Sequence, residues 1–141
     1  MKILLAVDGS RFTKRMLAYL AAHDEWWRSQ QHHFTVLTVV PALPGRAASA
    51  LAKEVVHAHY AEEAEETLKP VRKLFGKQGI EADFVHKVGD AADQIGQTAR
   101  KGKFDLLLMG SHGHGALARL VMGSVVAKVL ATCEVPLLIV R

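Results

Sequence analysis

Short, nearly continuous runs of apolar residues recur along the chain, separated by segments in which apolar residues return at helical spacing. Such runs are typical of strands covered on both faces of a sheet, because a half-exposed strand alternates apolar and polar positions. The pattern predicts five strands, at residues 2–7, 34–40, 82–88, 104–109 and 135–140.

Three segments after strands carry signals for a helix start. Ser10, Asp90 and Ser124 each stand before apolar residues at helical spacing. We predict that each opens a helix, and the hydroxyls of Ser10 and Ser124 can act as caps by accepting a hydrogen bond from a free backbone N–H of the first turn. The first of these helices is predicted to run on to Trp26 and Trp27.

The stretch between the second and third predicted strands contains proline and glycine, the two residue types that most often interrupt helices and strands. Pro44 and Gly45 predict a loop over residues 42–50. Helical spacing then returns over residues 51–75, but Pro70 lies inside that segment. Because proline lacks the N–H and clashes with the preceding turn, we expect this helix to be kinked or split there.

Strands that alternate with helices indicate an α/β fold with a parallel sheet and helices on both faces. Right-handed crossovers leave few possible strand orders, and we predict a doubly wound five-stranded sheet in the order 3-2-1-4-5. The length of 141 residues suits one domain, and no linker or repeat divides it.

The composition limits which cellular compartments and which binding partners we expect for this protein. No apolar run approaches the roughly 18 residues of a membrane helix, so no membrane segment is expected. The formal charge of +4 is spread along the chain without interleaved aromatic residues, which argues against nucleic acid as a partner. A single cysteine, Cys133, forms no internal disulfide, and this fits a reducing compartment such as the cytoplasm.

The topology predicts where a ligand would bind. In an open α/β sheet the site lies beyond the carboxyl ends of the strands at the switch point, here between the first and fourth strands. Asp8-Gly9-Ser10 and the glycine-rich residues 110–115 follow these strands, and Gly123-Ser124 opens the next helix. A loop that returns to a helix start can wrap a polyphosphate, because the free N–H groups there attract anions. The alternative is a turn and a cap without a ligand.

Known phosphate motifs fit this chain to different degrees. The P-loop pattern and the dinucleotide pattern after the first strand are both absent. Gly110-x2-Gly113-x9-Gly123-Ser124, by contrast, resembles the signature of the ATP-binding branch of the universal stress protein family. The sequences Val7-Asp8-Gly9-Ser10 and Met109-Gly110-Ser111-His112-Gly113, and the closing residues 136–141, resemble the same family. The resemblance spans the whole chain, which implies one Rossmann-like universal stress protein domain over residues 1–141.

The resemblance implies that ATP, with Mg²⁺, is held by nine residues: Asp8, Val39, Met109, Gly110, His112, Gly113, Gly123, Ser124 and Val125. It places Asp8 near the ribose or near the metal and phosphates, as a possible Mg²⁺ contact, and the backbone of Val39 at the adenine edge. The glycines and Ser124 would hold the ribose and phosphates, with the Val125 N–H assisting. Judged from the residues alone, Asp8 could simply cap the first helix, and Ser124 could be a cap without a phosphate.

The resemblance also implies a homodimer formed by pairing of last strands. The last predicted strand, from Val135 to Val140, lies at the sheet edge and is apolar. A long apolar edge favours aggregation unless it is covered, and antiparallel pairing with a second copy would cover it.

The motif favours a regulatory ATP-binding protein of the stress response over an efficient enzyme. Hydrolysis needs a positioned base and charge stabilisation at the γ-phosphate, but no lysine or arginine adjoins the motif before Arg119. His112 and His114 could act as bases only if suitably aimed, and two histidines are too few for a secure metal site. Slow hydrolysis, or self-phosphorylation at Ser111 or Ser124, stays open. The alternatives are a dimeric scaffold that binds no nucleotide and, less favoured, an adenylate-transferring enzyme.

Overall fold

The computed structural model describes residues 1–28, 31–115 and 121–141. Its strands are β1 (Lys2–Ala6), β2 (His33–Val40), β3 (Ala82–Val88), β4 (Leu106–Gly110) and β5 (Leu137–Val140). Its helices are α1 (Arg11–Ala22), α2 (Asp24–Arg28), α3 (Gly45–Ala50), α4 (Lys53–Gln78), α5 (Ala91–Lys101) and α6 (Ser124–Thr132). The strands form one parallel sheet in the order β3-β2-β1-β4-β5, which confirms the predicted fold class and strand order.

Strand β1 lies at the centre of the sheet and separates two apolar layers. Ile3 and Leu5 face one layer, which α1 and α4 complete, and Leu4 faces the other layer, which α5 and α6 complete. All three side chains have no exposed surface. A strand buried on both faces carries apolar residues at successive positions, which explains why β1 reads as a continuous run rather than an alternating one.

The predicted cap at Ser10 and the predicted helix start after Asp90 are confirmed, and the Asp90 side chain is itself a cap. The Ser10 hydroxyl accepts from the Thr13 N–H at 3.5 Å, and the Asp90 carboxylate accepts from the Asp93 N–H at 3.0 Å. The predicted helix start at Ser124 is confirmed, but its role as the cap is wrong, because the N-cap of α6 is Gly123 and Ser124 is already the first helical residue. The first turn of α6 therefore has no side-chain cap.

The first helix is shorter than predicted. It ends at Ala22, because His23 leaves helical backbone geometry with φ −119° and ψ 37°. Trp26 and Trp27 belong instead to the separate helix α2. The apolar spacing continues across this break, so the pattern alone extended one helix over two.

Helix α4 is continuous through Pro70, so it is not split there, while the kink expected at the proline stays a prediction. Its buried residues stand three or four positions apart on both sides of the proline: Ala64, Leu68, Val71 and Phe75. This stripe belongs to the apolar core on both sides of the proline, while Pro70 itself is exposed. The helix ends at Gly79, which takes the left-handed conformation with φ +67°, and not at Phe75.

Residues 45–50 form the short helix α3, where a loop was predicted. Pro44 stands just before it, a position where the missing N–H costs no helical hydrogen bond. The following segment is rich in alanine, which favours helix even though no residue of α3 is buried.

Strands β4 and β5 are also shorter than predicted, each beginning two residues later. Helix α4, with 26 residues, is long enough to cross a membrane, but charged residues occur along its length. Among the residues that the structure describes, no helix combines the length and the apolar character that a membrane span requires.

Candidate functional site

The nine predicted site residues come together around one cavity of about 290 Å³. It lies at the carboxyl ends of β1 and β4, where the strand order reverses. The nine residues in its lining are Asp8, Val39, Met109, Gly110, His112, Gly113, Gly123, Ser124 and Val125. This is where the topology rule for open α/β sheets predicted a site.

Asp8 organises the turn that leaves β1. Its Oδ1 accepts from the Ser10 N–H and from the Thr13 hydroxyl, both at 2.9 Å. The Thr13 hydroxyl in turn accepts from the Asp8 N–H at 3.1 Å. Asp8 is not the cap of α1, since Ser10 fills that role. One carboxylate oxygen therefore fixes the turn, while the other, Oδ2, faces the glycine loop beside Gly113.

Each motif glycine is needed for a different close approach. A Cβ on Gly110 would lie 2.7 Å from the Cβ of Phe12 in α1. A Cβ on Gly113 would lie 2.9 Å from Asp8 Oδ2. A Cβ on Gly123 would lie 3.0 Å from the Cα of His112. Gly115 differs from all three, because a Cβ there would meet nothing within 4 Å.

The far end of the glycine loop returns to the carboxyl end of β4, the strand from which the loop starts. The Gly123 N–H donates to the Ser111 carbonyl at 2.8 Å, and the Ser111 N–H donates to the Val140 carbonyl at 2.9 Å. These two backbone bonds bring the start of α6 beside the ends of β4 and β5. Ser111 is buried, and its hydroxyl lies 2.9 Å from His112 Nδ1. This burial makes Ser111 a poor acceptor for a phosphoryl group, whereas Ser124 is exposed.

The start of α6 points its free N–H groups at the cavity. Gly123 supplies no capping side chain, so the amides of Ser124, Val125 and Val126 are not capped by one. All three residues line the cavity. Uncapped N–H groups and the partial positive charge of a helix start together favour an anion at this end of the site.

Both loop histidines are engaged with neighbouring elements. His114 Nε2 donates to the backbone carbonyl of Asp8 at 2.5 Å, which ties the loop to the end of β1. The His112 ring lies 4.8 Å from the ring of Phe12, centre to centre. Within the described residues there is no group of three potential metal ligands.

Charge in the cavity is sparse. Asp8 is the carboxylate in the lining, and no lysine or arginine appears among the described residues that form it. Arg119, the nearest arginine after the motif in sequence, lies outside the described residues. The site as described therefore offers anions mainly the backbone amides of α6 and the two histidines.

Sequence reasoning missed residues that complete the walls. Thr13 fixes Asp8 through its hydroxyl, and Ala91 and Ile95 bring α5 into the cavity. A threonine one turn into a helix carries no signal of such a contact. Nor does the apolar stripe of α5 reveal that its first turns reach the switch point, since that depends on how α5 crosses the sheet.

The chain resembles the proteins of one known family along its whole length. The sequence model of the universal stress protein family matches residues 1–141. The chain belongs to the universal stress protein family. Relatives include a universal stress protein of Thermus aquaticus, 34% identical over 142 residues, which cover 99% of this chain and 97% of the relative. Universal stress protein MJ0531 of Methanocaldococcus jannaschii is 28% identical over 142 residues, covering 99% of this chain and 81% of the relative.

Solved structures of the family share the fold. The universal stress protein UspA of Lactobacillus plantarum matches with a TM-score of 0.77 at 19% identity, covering 100% of this chain and 97% of that one. An Archaeoglobus fulgidus universal stress protein in complex with dAMP matches at 0.65 and 25% identity, covering 100% and 98%. An Arabidopsis thaliana family member with AMP bound matches at 0.70 and 18% identity, covering 99% and 90%.

Proposed function

We propose that this universal stress protein binds ATP, together with Mg²⁺, at the switch-point cavity and acts as a cytoplasmic regulator of the stress response. The observation that carries the proposal is the returning glycine loop, which sets the uncapped start of α6 against the ends of β1 and β4. AMP and dAMP in two structural neighbours support an adenine nucleotide as the ligand.

The residues of the cavity fit such a ligand. One wall is apolar, formed by Leu37, Val39, Met109 and Ile95, and suits a planar base that the strand backbone can recognise. Another part of the lining consists of the glycine loop and the first residues of α6, whose backbone amides suit phosphates. A cavity of about 290 Å³ is small for a ligand pocket. The phosphate tail of the ligand would therefore extend beyond the cavity, over the start of α6.

Asp8 is the residue that would contact Mg²⁺. Its Oδ1 is occupied by the turn, but Oδ2 faces the loop. Magnesium with a nucleotide is commonly held by one or two carboxylates together with phosphate oxygens, so a single carboxylate suffices. The metal would neutralise phosphate charge that the described lining does not balance with lysine or arginine.

The site favours binding over rapid turnover. Phosphoryl transfer needs a cation at the γ-phosphate and an oriented nucleophile, and the described lining supplies neither a lysine nor an arginine. His114 already donates to Asp8. We infer that the protein retains its nucleotide, with slow hydrolysis or modification of Ser124 at most. A scaffold without nucleotide and an adenylate-transferring enzyme are the alternatives.

We further propose a homodimer through β5. The strand lies at the sheet edge, and its four residues, Leu137–Val140, are all uncharged and partly exposed. The other edge strand, β3, exposes Asp83, His86 and Lys87, and charged side chains discourage strand pairing. This contrast between the two edges supports β5 as the surface that pairs with a second copy.

The test is nucleotide release and rebinding. The purified protein is denatured and its supernatant analysed by mass spectrometry, where ATP supports the proposal. AMP with release of pyrophosphate would indicate the adenylate-transferring enzyme, and absence of nucleotide would indicate the scaffold. ATP with Mg²⁺ at about a hundred times its Kd should add about 2.7 kcal/mol, or about 5–10 °C in Tm.

The matched variants are Gly113→Val and Gly115→Val. The first places a side chain against Asp8 Oδ2 in the path of the phosphates, while the second meets nothing within 4 Å. We expect Gly113→Val to lose the ATP-dependent rise in Tm and Gly115→Val to keep it. Equal binding of ATP by a folded Gly113→Val variant would overturn the assignment of the loop.

A further inference from the structure

Two arginines at the start of α1 converge on one aromatic ring. The Cζ atoms of Arg11 and Arg15 lie 4.9 Å and 5.6 Å from the centre of the Phe12 ring, within the range of a cation–π contact. Phe12 is buried, whereas both arginines are exposed. The ring therefore brings two guanidinium groups together at the surface of the protein.

Phe12 also connects this pair of arginines to the nucleotide site. Its ring lies 4.8 Å from the His112 ring, centre to centre, and a Cβ on Gly110 would lie 2.7 Å from the Phe12 Cβ. The backbone of His112 in turn lies beside Gly123, the N-cap of α6, where an added Cβ would lie 3.0 Å from the His112 Cα. Arg11 is thus separated only by the Phe12 and His112 rings from the helix start where the phosphate tail is expected.

The protein supplies no counter-charge to these two arginines. Among the residues that the structure describes, neither Arg11 nor Arg15 forms an ion pair. The sequence at 29–30 and 116–120, outside the described ranges, contains no Asp or Glu, and neither does the first turn of α1. Like charges four residues apart on a helix repel, and cations are unfavourable at a helix N-terminus. A bound anion between the two guanidinium groups would remove this cost in stability.

The nucleotide proposed above carries such an anion. Its phosphate tail extends beyond the cavity, and the described lining holds no lysine or arginine to balance the phosphate charge. A guanidinium group presents its N–H donors in a planar fork that can bind two phosphate oxygens at once. Two such groups beside the glycine loop suit the most highly charged part of the ligand, which is the end of the triphosphate.

We propose that Arg11 and Arg15 form a clamp for the terminal phosphates of the bound nucleotide, and that this clamp makes the site prefer ATP to AMP. This role rests on the function proposed above and adds to it the residues that distinguish nucleotides by their number of phosphates. The α6 amides hold the phosphate nearest the ribose, and the arginine clamp binds the β- and γ-phosphates from the side of α1. The clamp supplies positive charge but no base, so it raises affinity without orienting a nucleophile for hydrolysis.

The experiment compares the affinities of AMP, ADP and ATP by isothermal titration calorimetry in the presence of Mg²⁺. The unaltered protein should bind ATP about tenfold more tightly than AMP, with ADP between them. Arg11→Gln and Arg15→Gln should each weaken ATP about 3- to 10-fold and AMP less than about twofold, because AMP has no phosphate within the clamp. Both positions are exposed, so we expect the variants to fold.

Two further variants separate the clamp from a general loss of positive charge. Lys14→Gln removes one charge from an exposed position in the same part of α1, and Lys14 is not one of the cations on the Phe12 ring. It should leave the ratio of ATP affinity to AMP affinity unchanged. Arg11→Lys keeps the charge but loses the planar fork, and should weaken ATP less than Arg11→Gln does.

The clamp is overturned if the unaltered protein binds AMP as tightly as ATP, if Arg11→Gln weakens both nucleotides equally, or if Lys14→Gln weakens ATP as much as Arg11→Gln does. In each of these outcomes a nucleotide still binds, and the proposed function stands. Failure of all three nucleotides to bind the unaltered protein would overturn the proposed function itself, and the clamp with it.

Discussion

His114 is the side chain that ties the glycine loop to the opposite strand. Its Nε2 donates to the Asp8 carbonyl, and Asp8 in turn directs Oδ2 at Gly113. Gly113 and Gly115 flank this histidine, and glycine gives a chain more freedom than any other residue. One side-chain bond thus sets the spacing between Asp8 and the loop, and so the width of the proposed phosphate site.

Replacing His114 separates the hydrogen bond from the bulk of the ring. His114→Leu removes the donor, and we expect it to weaken ATP binding about 3- to 10-fold, the equivalent of about 0.6–1.4 kcal/mol. His114→Gln retains a donor and should recover part of the loss. Isothermal titration calorimetry with ATP and Mg²⁺ measures both. Tighter binding by His114→Leu would show instead that the histidine obstructs the site.

A second prediction at the residue scale concerns the stability of the protein at acidic pH. Burial lowers the pKa of His32 from 6.5 in the folded protein, so the unfolded state binds more protons as pH falls. The stability contributed by neutral His32 is present above pH 6.5 and is lost as pH falls below it. We expect the urea midpoint to fall between pH 7.5 and pH 5, and His32→Phe to reduce this fall. His33→Phe serves as the control, and an identical pH profile for His32→Phe would contradict the assignment.

At the scale of elements, packing overrides the local break in α4. Pro70 removes one helical N–H, yet buried Leu68 and Val71 stand on either side of it and hold the helix against the sheet. The stripe of buried residues thus outweighs the local preference of proline.

Pro70→Ala should therefore stabilise the protein. Alanine restores the missing N–H and has the highest helix propensity, although the unfolded chain gains freedom when proline is removed. We expect the free energy of unfolding in urea to rise by about 1–2 kcal/mol. Lys69→Ala, at the exposed neighbouring position, should change it by less than about 0.5 kcal/mol. A loss of stability in Pro70→Ala would mean that the proline is needed for the path of α4.

At the scale of the whole molecule, the two sheet edges differ. The Pro136 carbonyl accepts a hydrogen bond from Leu107 in β4, and the Val140 carbonyl accepts one from Ser111, the residue after β4. Since strand residues alternate in direction, the N–H and carbonyl groups of Leu137 and Ile139 point away from the sheet. These outward groups are the ones that a second copy would pair in the proposed dimer.

Ile139→Pro tests that arrangement. Proline removes an outward N–H without breaking a bond to β4, and edge strands tolerate it for this reason. We expect sedimentation equilibrium to show a dimer for the unaltered protein and for Ile139→Val, and a monomer for Ile139→Pro. A monomeric unaltered protein, or a dimeric Ile139→Pro variant, would contradict pairing through β5.

Sequence alone determined the strand order, the cap at Ser10, the helix start after Asp90 and the motif glycines, because these depend on apolar runs and short spacings. Chain topology then placed all nine predicted residues at one cavity. The contacts between Asp8, Thr13 and His114, the wall supplied by α5 and the unbroken α4 were decided by the tertiary structure. Each of these joins elements that are distant in sequence, and their relative placement is set by packing on the sheet, which no local pattern encodes.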